Sequence, residues 1–323
     1  MVLTVTLNPL LEHRMIFDSV LHGKSNHCKK EFFFAGGKGI NVSRQLNKLG
    51  IKNYTFTFLG GNNGKILRSL LTNEKIDFGF VSTQSETRRA CLTYSKNEKT
   101  LSTYFGLNSN ILEIEAEEFK SKLDKMIRNS SIVVFSGSSP SKITEDIFSY
   151  GISLANFLDK ISILDTYGSH LEKSINAAPT ILHINKQEIE NTFDISLVDE
   201  KSYLDYLSFL YSKKIKLAFI TNGKKETYAS KYDYIYKITP PIIDELDSTG
   251  SGDAFTAGLV YGLEKSLVFE EFVKIATALG SKNANMMETC SVSFEQMEEL
   301  KDTVIIEPIG KKMKMIDDSP QFH

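Results

Sequence analysis

The chain has 323 residues, of which 41% are hydrophobic and 24% are charged, and its formal net charge is −2. This composition is typical of a globular protein, and the near-neutral charge excludes both a nucleic-acid binder held by bulk charge and an acidic disordered protein. The length suits one large α/β domain or two domains. Cys28, Cys91 and Cys290 form no CxxC pair, so we expect free thiols in a reducing compartment, with no zinc site or disulfide framework.

The first residues, MVLTVTLNP, contain no basic residue and no continuous apolar core. They therefore do not resemble a signal peptide. The apolar runs elsewhere are too short to span a bilayer. We expect a cytoplasmic protein that binds neither a membrane nor a nucleic acid.

Short, mostly apolar runs alternate along the chain with longer amphipathic stretches. The apolar runs predict buried strands at 2–8, 53–59, 132–136, 161–165, 180–185 and 217–221. The amphipathic stretches predict helices at 39–49, 63–73, 115–128, 143–157 and 198–213, and the region 252–302 is predicted to be mostly helical. Alternation of buried strands and helices indicates an α/β fold with a doubly wound, parallel sheet.

Two regions interrupt this alternation. Residues 13–35 contain two strand-like runs, and residues 89–105 predict a hairpin with its turn at 96–99. Both regions alternate polar and apolar residues, unlike the core strands. We interpret them as a small separate sheet over one edge of the main sheet, with two ordinary surface hairpins as the alternative.

The first glycine-rich motif is Ala-Gly-Gly-Lys-Gly-Ile-Asn at 35–41, which leads into an amphipathic helix. It does not fit a dinucleotide-binding fingerprint, because Val42 stands where the third glycine belongs and no acidic residue follows about twenty residues later. It does not fit a P-loop either, since no Lys-Ser or Lys-Thr pair has the required upstream glycine. Lys38 and Asn41 lie one helical turn apart and could both contact a polar ligand.

Three shorter motifs add further candidates. Arg88 lies at the edge of the small sheet and could bind a phosphate through two hydrogen bonds, although a lone arginine is usually a surface residue. Asn185 and Glu188 follow a predicted strand and suit a hydrated Mg²⁺ near phosphates, with a helix capping box as the alternative. Thr221 and Gly223 mark a turn after the next strand.

The sharpest motif is Asp-Ser-Thr-Gly-Ser-Gly-Asp at 247–253, directly before an apolar helical stretch. The N–H groups of Gly250, Ser251 and Gly252 would face outward at the start of that helix and form an anion site. A carboxylate at a phosphate site needs another role, and Asp253 could accept the proton of a hydroxyl that attacks the phosphate. The alternative is that Asp253 only caps the helix.

Taken together and in this order, the motifs resemble the PfkB (ribokinase-like) family of carbohydrate kinases. The resemblance runs from Thr4 to about residue 300 and rests on TLNP, GGKGINVSR, FLGG, TR, SGSSP, NKQE, TNG and DSTGSGDAF. It implies a ribokinase-like, doubly wound, mostly parallel sheet flanked by helices, with a small β-sheet lid. Residues 1–323 would then form a single domain with lid segments 13–35 and 89–105 inserted. The resemblance also implies ATP, Mg²⁺ and, in many members, a homodimer joined through the lids.

The resemblance also assigns roles to individual residues. It implies that Asp253 is the catalytic base and that Gly250, Ser251 and Gly252 form the anion hole for the transferring phosphoryl group. The residues implied to hold the sugar phosphate are Glu12, Gly37, Lys38, Asn41, Arg88 and Ser138. Those implied to contact the nucleotide are Thr221, Gly223 and His183, and those implied to organise Mg²⁺ through water are Asn185 and Glu188.

Four positions that depart from the pattern bear on this site. Glu12 stands where an aspartate is usual, and Ser251 where an alanine is usual. His183 replaces a lysine, so a titratable group replaces a fixed charge, with a packed strand histidine as the alternative. Glu226 replaces the second glycine of the nucleotide turn.

TLNP and GGKGINVSR resemble the branch of the family that phosphorylates sugar phosphates. The sequence therefore predicts an ATP-dependent kinase of a ketohexose phosphate, with fructose 1-phosphate as the first choice of substrate and tagatose 6-phosphate as the second. The alternative is a regulator that binds sugar phosphate or nucleotide with weakened catalysis. A Rossmann dehydrogenase is disfavoured by the missing acidic residue. The motifs leave open the sugar, the oligomeric state, the dependence on monovalent cations and the role of the charged tail at 311–323.

Overall fold

The computed structural model describes residues 1–309, so the charged tail at 311–323 lies outside the described residues. The strands in chain order are β1 Val2–Thr6, β2 Leu10–Phe17, β3 Lys30–Gly36, β4 Asn53–Gly60, β5 Phe78–Thr83, β6 Arg89–Ser95, β7 Thr100–Phe105, β8 Ile132–Ser136, β9 Ile161–Asp165, β10 Ile181–Asn185, β11 Leu217–Thr221, β12 Thr227–Lys231, β13 Tyr234–Thr239 and β14 Ile305–Ile309. The α-helices are α1 Lys38–Lys48, α2 Gly61–Asn73, α3 Glu113–Arg128, α4 Ile147–Phe157, α5 Leu171–Asn176, α6 Lys186–Phe193, α7 Glu200–Ser212, α8 Ser251–Glu264, α9 Phe269–Ala284 and α10 Phe294–Lys301.

Within residues 1–309, ten strands form one large sheet in the order β14-β13-β12-β11-β10-β9-β8-β1-β4-β5. In this sheet order, every strand from β11 through β8 and β1 to β5 is parallel to the next one. The remaining strands, β12 to β14, extend the sheet in antiparallel pairs. All six strands predicted from the sequence lie in the parallel part, and the predicted α/β fold with a mostly parallel sheet is confirmed.

Alternate residues of the core strands pack into two separate hydrophobic layers. In β8, Val133 and Phe135 pack in the layer that contains α3, α4 and α7. Ile132 and Val134 pack in the opposite layer, which contains α1, α8 and α9. Because successive side chains of a strand point to opposite faces, a strand between two helical layers needs apolar residues throughout. Each such fully buried side chain contributes roughly 1.5–3 kcal/mol, which explains the continuous apolar runs in the sequence.

The carboxyl ends of the parallel strands place the candidate residues at one edge of the large sheet. Strands β9, β10 and β11 end at Asp165, Asn185 and Thr221. The register pairs Asn185 with Thr221 directly. Helices α1 and α8 begin beside this edge. In open α/β sheets, ligands bind in the crevice outside the carboxyl ends of the strands.

A second sheet has the strand order β3-β2-β6-β7. Its hairpin β6–β7 turns at 96–99, as predicted. Strands β2 and β6 pair in parallel from Leu11 and Arg89 onward, so the interpretation as two ordinary surface hairpins is wrong. The first of the two segments begins at Leu10, three residues earlier than the predicted bound, because Leu10 packs against Ala90 and Leu92 in a small core of this sheet.

Several elements differ from the sequence-based prediction. Strands β5 and β12 to β14 and the short helices α5 and α6 were not predicted. Strand β13, which lies next to the edge strand β14, is largely half-buried, so it lacks the apolar run that marks a core strand. The helix predicted at 143–157 is a 3₁₀ turn at Lys142–Thr144 followed by α4. Within residues 1–309, none of the helices combines the length and the hydropathy that crossing a membrane requires.

Candidate active site

A cleft of about 770 Å³ lies between the carboxyl edge of the large sheet and the small sheet. Its floor is the start of α8. Gly250 precedes the helix with φ 79°, and a Cβ there would lie 2.2 Å from Thr289 Cγ2. This left-handed turn therefore needs glycine. The Ser251 N–H donates to the Ser248 carbonyl at 3.1 Å. An anion at the start of the helix would therefore meet the backbone N–H groups of Gly252 and Asp253.

Asp253 lies in the first turn of α8 and is buried. It makes no capping bond, so the interpretation that it only caps the helix is wrong. Its Oδ2 accepts a hydrogen bond of 2.8 Å from Asn41 Nδ2. Burial, and next the charge of Asp165, raise the pKa of Asp253 to about 7, although Lys38, Asn41 and His183 oppose the change. A carboxylate with this pKa is suited to exchange a proton near neutral pH.

Lys38 opens α1, and its amine lies between two carboxylates. Nζ is 2.9 Å from Asp165 Oδ1 and 2.9 Å from Glu188 Oε1. Burial opposes the charged form, but these two carboxylates outweigh it and hold the pKa of Lys38 well above its usual value. Lys38 thus forms an ion pair with Glu188, one of the two residues predicted to organise Mg²⁺. Its predicted contact with the sugar phosphate stays a prediction.

Asn185 and Glu188 form the capping box that the sequence left as an alternative. Asn185 Oδ1 accepts from the Glu188 N–H at 2.8 Å, and Glu188 Oε2 accepts from the Asn185 N–H at 3.0 Å. Residues 1–309 contain no cluster of three or more acidic, histidine or cysteine side chains placed to hold a metal ion. Mg²⁺ usually keeps several waters and takes one or two carboxylates together with substrate phosphates. The two residues therefore fit an ion held through water, not one held by a protein cage.

His183 lies inside the molecule behind the anion loop. Its side chain is buried, with Nε2 3.2 Å from Thr221 Oγ1 and Nδ1 3.1 Å from Thr256 Oγ1. The ring packs against Phe255, and a Cβ on Gly252 would lie 3.1 Å from its Cε1. These contacts match a packed strand histidine beside the cleft. Its predicted contact with nucleotide stays a prediction.

Arg88 lies at the other end of the cleft, in a cluster of polar residues. Nη1 donates to Asn108 Oδ1 at 3.0 Å, and Nη2 donates to the Asn8 carbonyl at 3.3 Å. Asn8 Nδ2 also donates to Ser138 Oγ at 3.1 Å. Among the described residues, the buried atoms Arg88 Nε and Asn8 Oδ1 lack a hydrogen-bond partner. Unsatisfied buried polar atoms that line a cleft are ready to bind a polar ligand.

Glu12 and Gly37 form part of the wall between these two ends. Glu12 is buried in β2, and burial raises its pKa even though Arg14 opposes this. Arg14 Nη2 is 3.0 Å from Glu12 Oε1, and its Nη1 is 3.3 Å from Asp247 Oδ2. Gly37 has φ 125°, and a Cβ there would approach Thr6 Cγ2 to 3.0 Å. The glycine is therefore required where β3 passes into α1.

The predicted nucleotide residues lie at the far side of the cleft. Thr221 ends β11, and Gly223, with φ 57°, forms the exposed turn that follows. Sequence reasoning missed the opposite wall of this part of the cleft. It contains Thr277, Gly280 and Ser281 of α9.

Two further buried residues were also missed. Asp165 accepts from Lys38 and from the hydroxyls of Ser136 and Thr256. An acidic residue at the end of an apolar strand is the signal that could have found it. Asn283 of α9 donates to the Thr249 carbonyl and to Ser251 Oγ, and so holds the anion loop. No motif in the sequence marks Asn283.

A model of the pfkB family of carbohydrate kinases matches residues 12–296. The chain belongs to this family. The predicted family and the predicted enzyme class are thereby confirmed: the protein is a sugar kinase, and sugar kinases of this family use ATP. The site motifs from GGKGINVSR to DSTGSGDAF fall within the matched residues, and TLNP at 6–9 precedes them.

Relatives of this family cover nearly the whole chain. A tagatose-6-phosphate kinase from Staphylococcus epidermidis is 28% identical over 303 residues, covering 93% of this chain and 97% of the relative. A 1-phosphofructokinase from Borreliella burgdorferi is 28% identical over 315 residues, covering 96% and 99%. The structure of phosphofructokinase-2 from Escherichia coli has a TM-score of 0.87 at 21% identity, covering 94% of this chain and 98% of that one, and it supports the fold.

Proposed function

We propose that this protein transfers the γ-phosphoryl group of ATP to a ketohexose phosphate, and that it converts fructose 1-phosphate to fructose 1,6-bisphosphate. The observation that carries the proposal is Asp253, a buried carboxylate with a pKa raised to about 7 by burial and by the neighbouring Asp165. It stands where a helix N-terminus can receive a phosphoryl group. The family and the two relatives named for ketohexose-phosphate kinases support the substrate class.

The reaction needs a base and stabilisation of negative charge. In the proposed step, the sugar hydroxyl oxygen attacks the γ-phosphorus while the bond to the β-phosphate oxygen breaks. Asp253 takes the hydroxyl proton, and ADP leaves with the bonding electrons. Gly250 lets the chain turn so that the N–H donors of Gly252 and Asp253 lie at the start of α8, while the Ser251 N–H stays bonded to the Ser248 carbonyl. These donors stabilise the equatorial oxygens of the transferring group.

The polar cluster around Arg88 is proposed to bind the phosphate already on the sugar. Its buried Nε lacks a partner, and Asn8 and Ser138 lie beside it. A guanidinium can bind a phosphate with two parallel hydrogen bonds. Gly37, Lys38 and Asn41 at the start of α1, with Glu12 from β2, are proposed to contact the sugar. The phosphate and the accepting hydroxyl lie at opposite ends of either candidate ketohexose, so this arrangement does not separate the two.

Asn185 and Glu188 are the residues proposed to hold Mg²⁺ through water. The metal would neutralise charge on the β- and γ-phosphates when it is bound. The nucleotide is proposed to lie along Thr221, Gly223 and His183. Lys38, which is paired with Glu188, would keep that carboxylate oriented toward the cleft.

The small sheet is proposed to act as a lid on a single domain. Phe105 of β7 lines the cleft and lies 5.5 Å from the Arg88 guanidinium, so closure would cover the sugar phosphate. Lids of this kind exclude water from the transferred group. Phe33 and Tyr104 are exposed and lie in one register row through His13 and Cys91, so they leave an apolar surface on one face of the same sheet, which suits a homodimer joined through the lids. Slower hydrogen exchange in β2, β3, β6 and β7 with sugar phosphate would support closure, and unchanged exchange would refute it.

A cytoplasmic location is part of the same proposal. Cys28, Cys91 and Cys290 are all free thiols. Free thiols persist in a reducing compartment. ATP and sugar phosphates are also cytoplasmic metabolites, which agrees with this location.

The test is a coupled ADP-release assay with fructose 1-phosphate, tagatose 6-phosphate, fructose 6-phosphate and an unphosphorylated ketose. The proposal expects the highest kcat/KM with fructose 1-phosphate and at least about 100-fold less with the unphosphorylated sugar. A preference for tagatose 6-phosphate would replace the substrate within the same class. Binding without turnover of any of them would favour the regulator suggested by His183 and Glu226.

A further inference from the structure

Arg44 of α1 joins the end of α2 to the carboxylate in the cleft through a chain of hydrogen bonds. Its Nε and Nη2 lie 2.5 and 3.2 Å from the two carboxylate oxygens of Glu74. Its Nη1 donates to Asn41 Oδ1 at 2.7 Å. Asn41 Nδ2 in turn donates to Asp253 Oδ2 at 2.8 Å. The guanidinium also donates to the Ala35 carbonyl, at the entrance of the glycine loop.

This chain decides which way the Asn41 amide points. A guanidinium has only donors, so the atom of Asn41 that faces Arg44 must be the carbonyl oxygen. The other end, the NH₂ group, must then face Asp253. If the amide were free to rotate, its oxygen could face the carboxyl instead and would favour the protonated acid. Arg44 and Glu74 are largely buried, with side chains 13% and 25% exposed, so water competes little for these bonds.

We propose that Arg44, held by Glu74, is a positioning residue that locks the Asn41 amide so that it donates to the carboxylate of Asp253. The inference rests on the proposed role of Asp253 as the base. Arg44 itself lines a separate cavity of about 610 Å³ behind the wall formed by Glu12 and Asn41. It therefore acts through Asn41 and not by touching the substrate.

The other groups that face Asp253 come from several elements. Asp165 of β9 raises its pKa, and Lys38 of α1 and His183 of β10 lower it. Cys290, whose own pKa is raised well above its usual value by burial and then by Asp253, lies on the remaining side. Arg44 acts on Cys290 through its charge, but its hydrogen-bonded path to Asp253 runs through Asn41. A change at Arg44 should therefore reach Asp253 through Asn41.

The experiment compares Arg44→Met with Arg128→Met, which removes an exposed arginine at the end of α3 that forms an i,i+4 ion pair with Asp124 of the same helix. The inference expects Arg44→Met to lower kcat about 10- to 100-fold with KM for ATP changed less than about twofold. The acidic limb of its kcat–pH profile should move to higher pH, because Asp253 loses a donor to its charged form. Arg128→Met should match the wild type. Unchanged kcat and an unchanged limb in Arg44→Met would overturn the inference.

A double-mutant cycle separates positioning from general structural damage. In an Asn41→Leu background, Arg44→Met should lower kcat by less than about twofold, because the side chain through which it acts is gone. Additive losses would overturn the inference. If Arg44→Met fails to fold, Arg44→Lys supplies the same comparison, since lysine keeps the charge but cannot bond Glu74 and Asn41 with one planar fork.

A titration without substrate separates this inference from the proposed function. The carboxyl carbon of Asp253 can be followed by ¹³C NMR in the free protein, with Asp253→Asn to assign the signal. A higher pKa in Arg44→Met than in the wild type supports the positioning role even if no tested sugar phosphate is turned over. An unchanged pKa refutes it even if the wild type is an active kinase.

Discussion

Replacing Asp165 by asparagine is expected to shift the pH dependence of the reaction toward acid. Asp165 is fully buried, and after burial its charge is the next cause that raises the pKa of Asp253 to about 7. Asparagine keeps the shape, and its oxygen in the place of Asp165 Oδ2 still accepts from Ser136 and Thr256. It removes the charge and the bond that Oδ1 accepts from Lys38. Lys38 keeps Glu188 as a partner, so the substitution leaves no buried cation unpaired.

The size of the effect follows from the titration of the base. The pH dependence of kcat/KM reports the free enzyme. With Asp253 near pKa 7, the ionised fraction rises from about one tenth at pH 6 to about nine tenths at pH 8, so kcat/KM should rise about tenfold. Removing one buried like charge is expected to lower the midpoint by about one pH unit, equivalent to about 1.4 kcal/mol. At pH 6 the variant should then reach about half of its own plateau.

The assay is kcat/KM for the sugar phosphate from pH 5.5 to about 9 at constant ionic strength and saturating ATP, with each profile normalised to its plateau. The substrate phosphate also titrates near pH 6, but it does so equally for both enzymes, so their ratio removes it. A midpoint that stays unchanged, or that moves to higher pH, would refute the assignment of Asp165 as the charge that raises the pKa of the base.

Three further predictions concern stability. Gly250→Ala should lower the unfolding free energy, measured in urea, by at least about 2 kcal/mol, and Gly50→Ala by only about 1 kcal/mol. Both glycines have positive φ, but only at Gly250 would the new Cβ meet a heavy atom. Equal losses in the two variants would contradict this. Lys38→Met leaves two carboxylates without their cation and should cost about 3 kcal/mol or more. Lys201→Met, at an exposed i,i+4 pair, should leave the stability almost unchanged, and a loss as large as that of Lys38→Met would refute this. Asp253→Asn should raise the melting temperature at pH 8 by about 2 °C or more. The pKa of Asp253 is higher in the folded protein than its ordinary value, so the carboxyl stabilises the fold less as the pH rises between these two values. Calorimetry should find that the gain vanishes near pH 4, and a gain that is constant with pH would contradict the prediction.

The parallel core of the fold could be predicted because its strands carry a strong local signal. Val133 and Phe135 face one helical layer and Ile132 and Val134 face the other, so the run is apolar throughout. The antiparallel strands β12 to β14 lack that signal. β13 is exposed or half-buried along most of its length, and its place is set by pairing with β12 and β14. The pairing with β14 is a long-range contact that periodicity does not encode.

The candidate site was predictable where a local motif carries the chemistry. Gly250 and Asp253 adjoin the helix start that the glycines predict, and Asn185 and Glu188 stand three residues apart. The pairing of Lys38 with Asp165 spans 127 residues, and that of Asn41 with Asp253 spans 212. These pairs depend on the order of strands in the sheet, so no spacing in the sequence marks them.

The central claim is that Asp253 is the base of a sugar-phosphate kinase, and the Asp253→Asn variant tests it most directly. Single-turnover phosphoryl transfer should fall at least about 100-fold, while calorimetric dissociation constants for ATP and the sugar phosphate stay within about threefold of the wild type. Asparagine retains the shape and one hydrogen-bond acceptor for Asn41 but cannot take the proton. A variant that transfers phosphate at a rate near that of the wild type would contradict the claim.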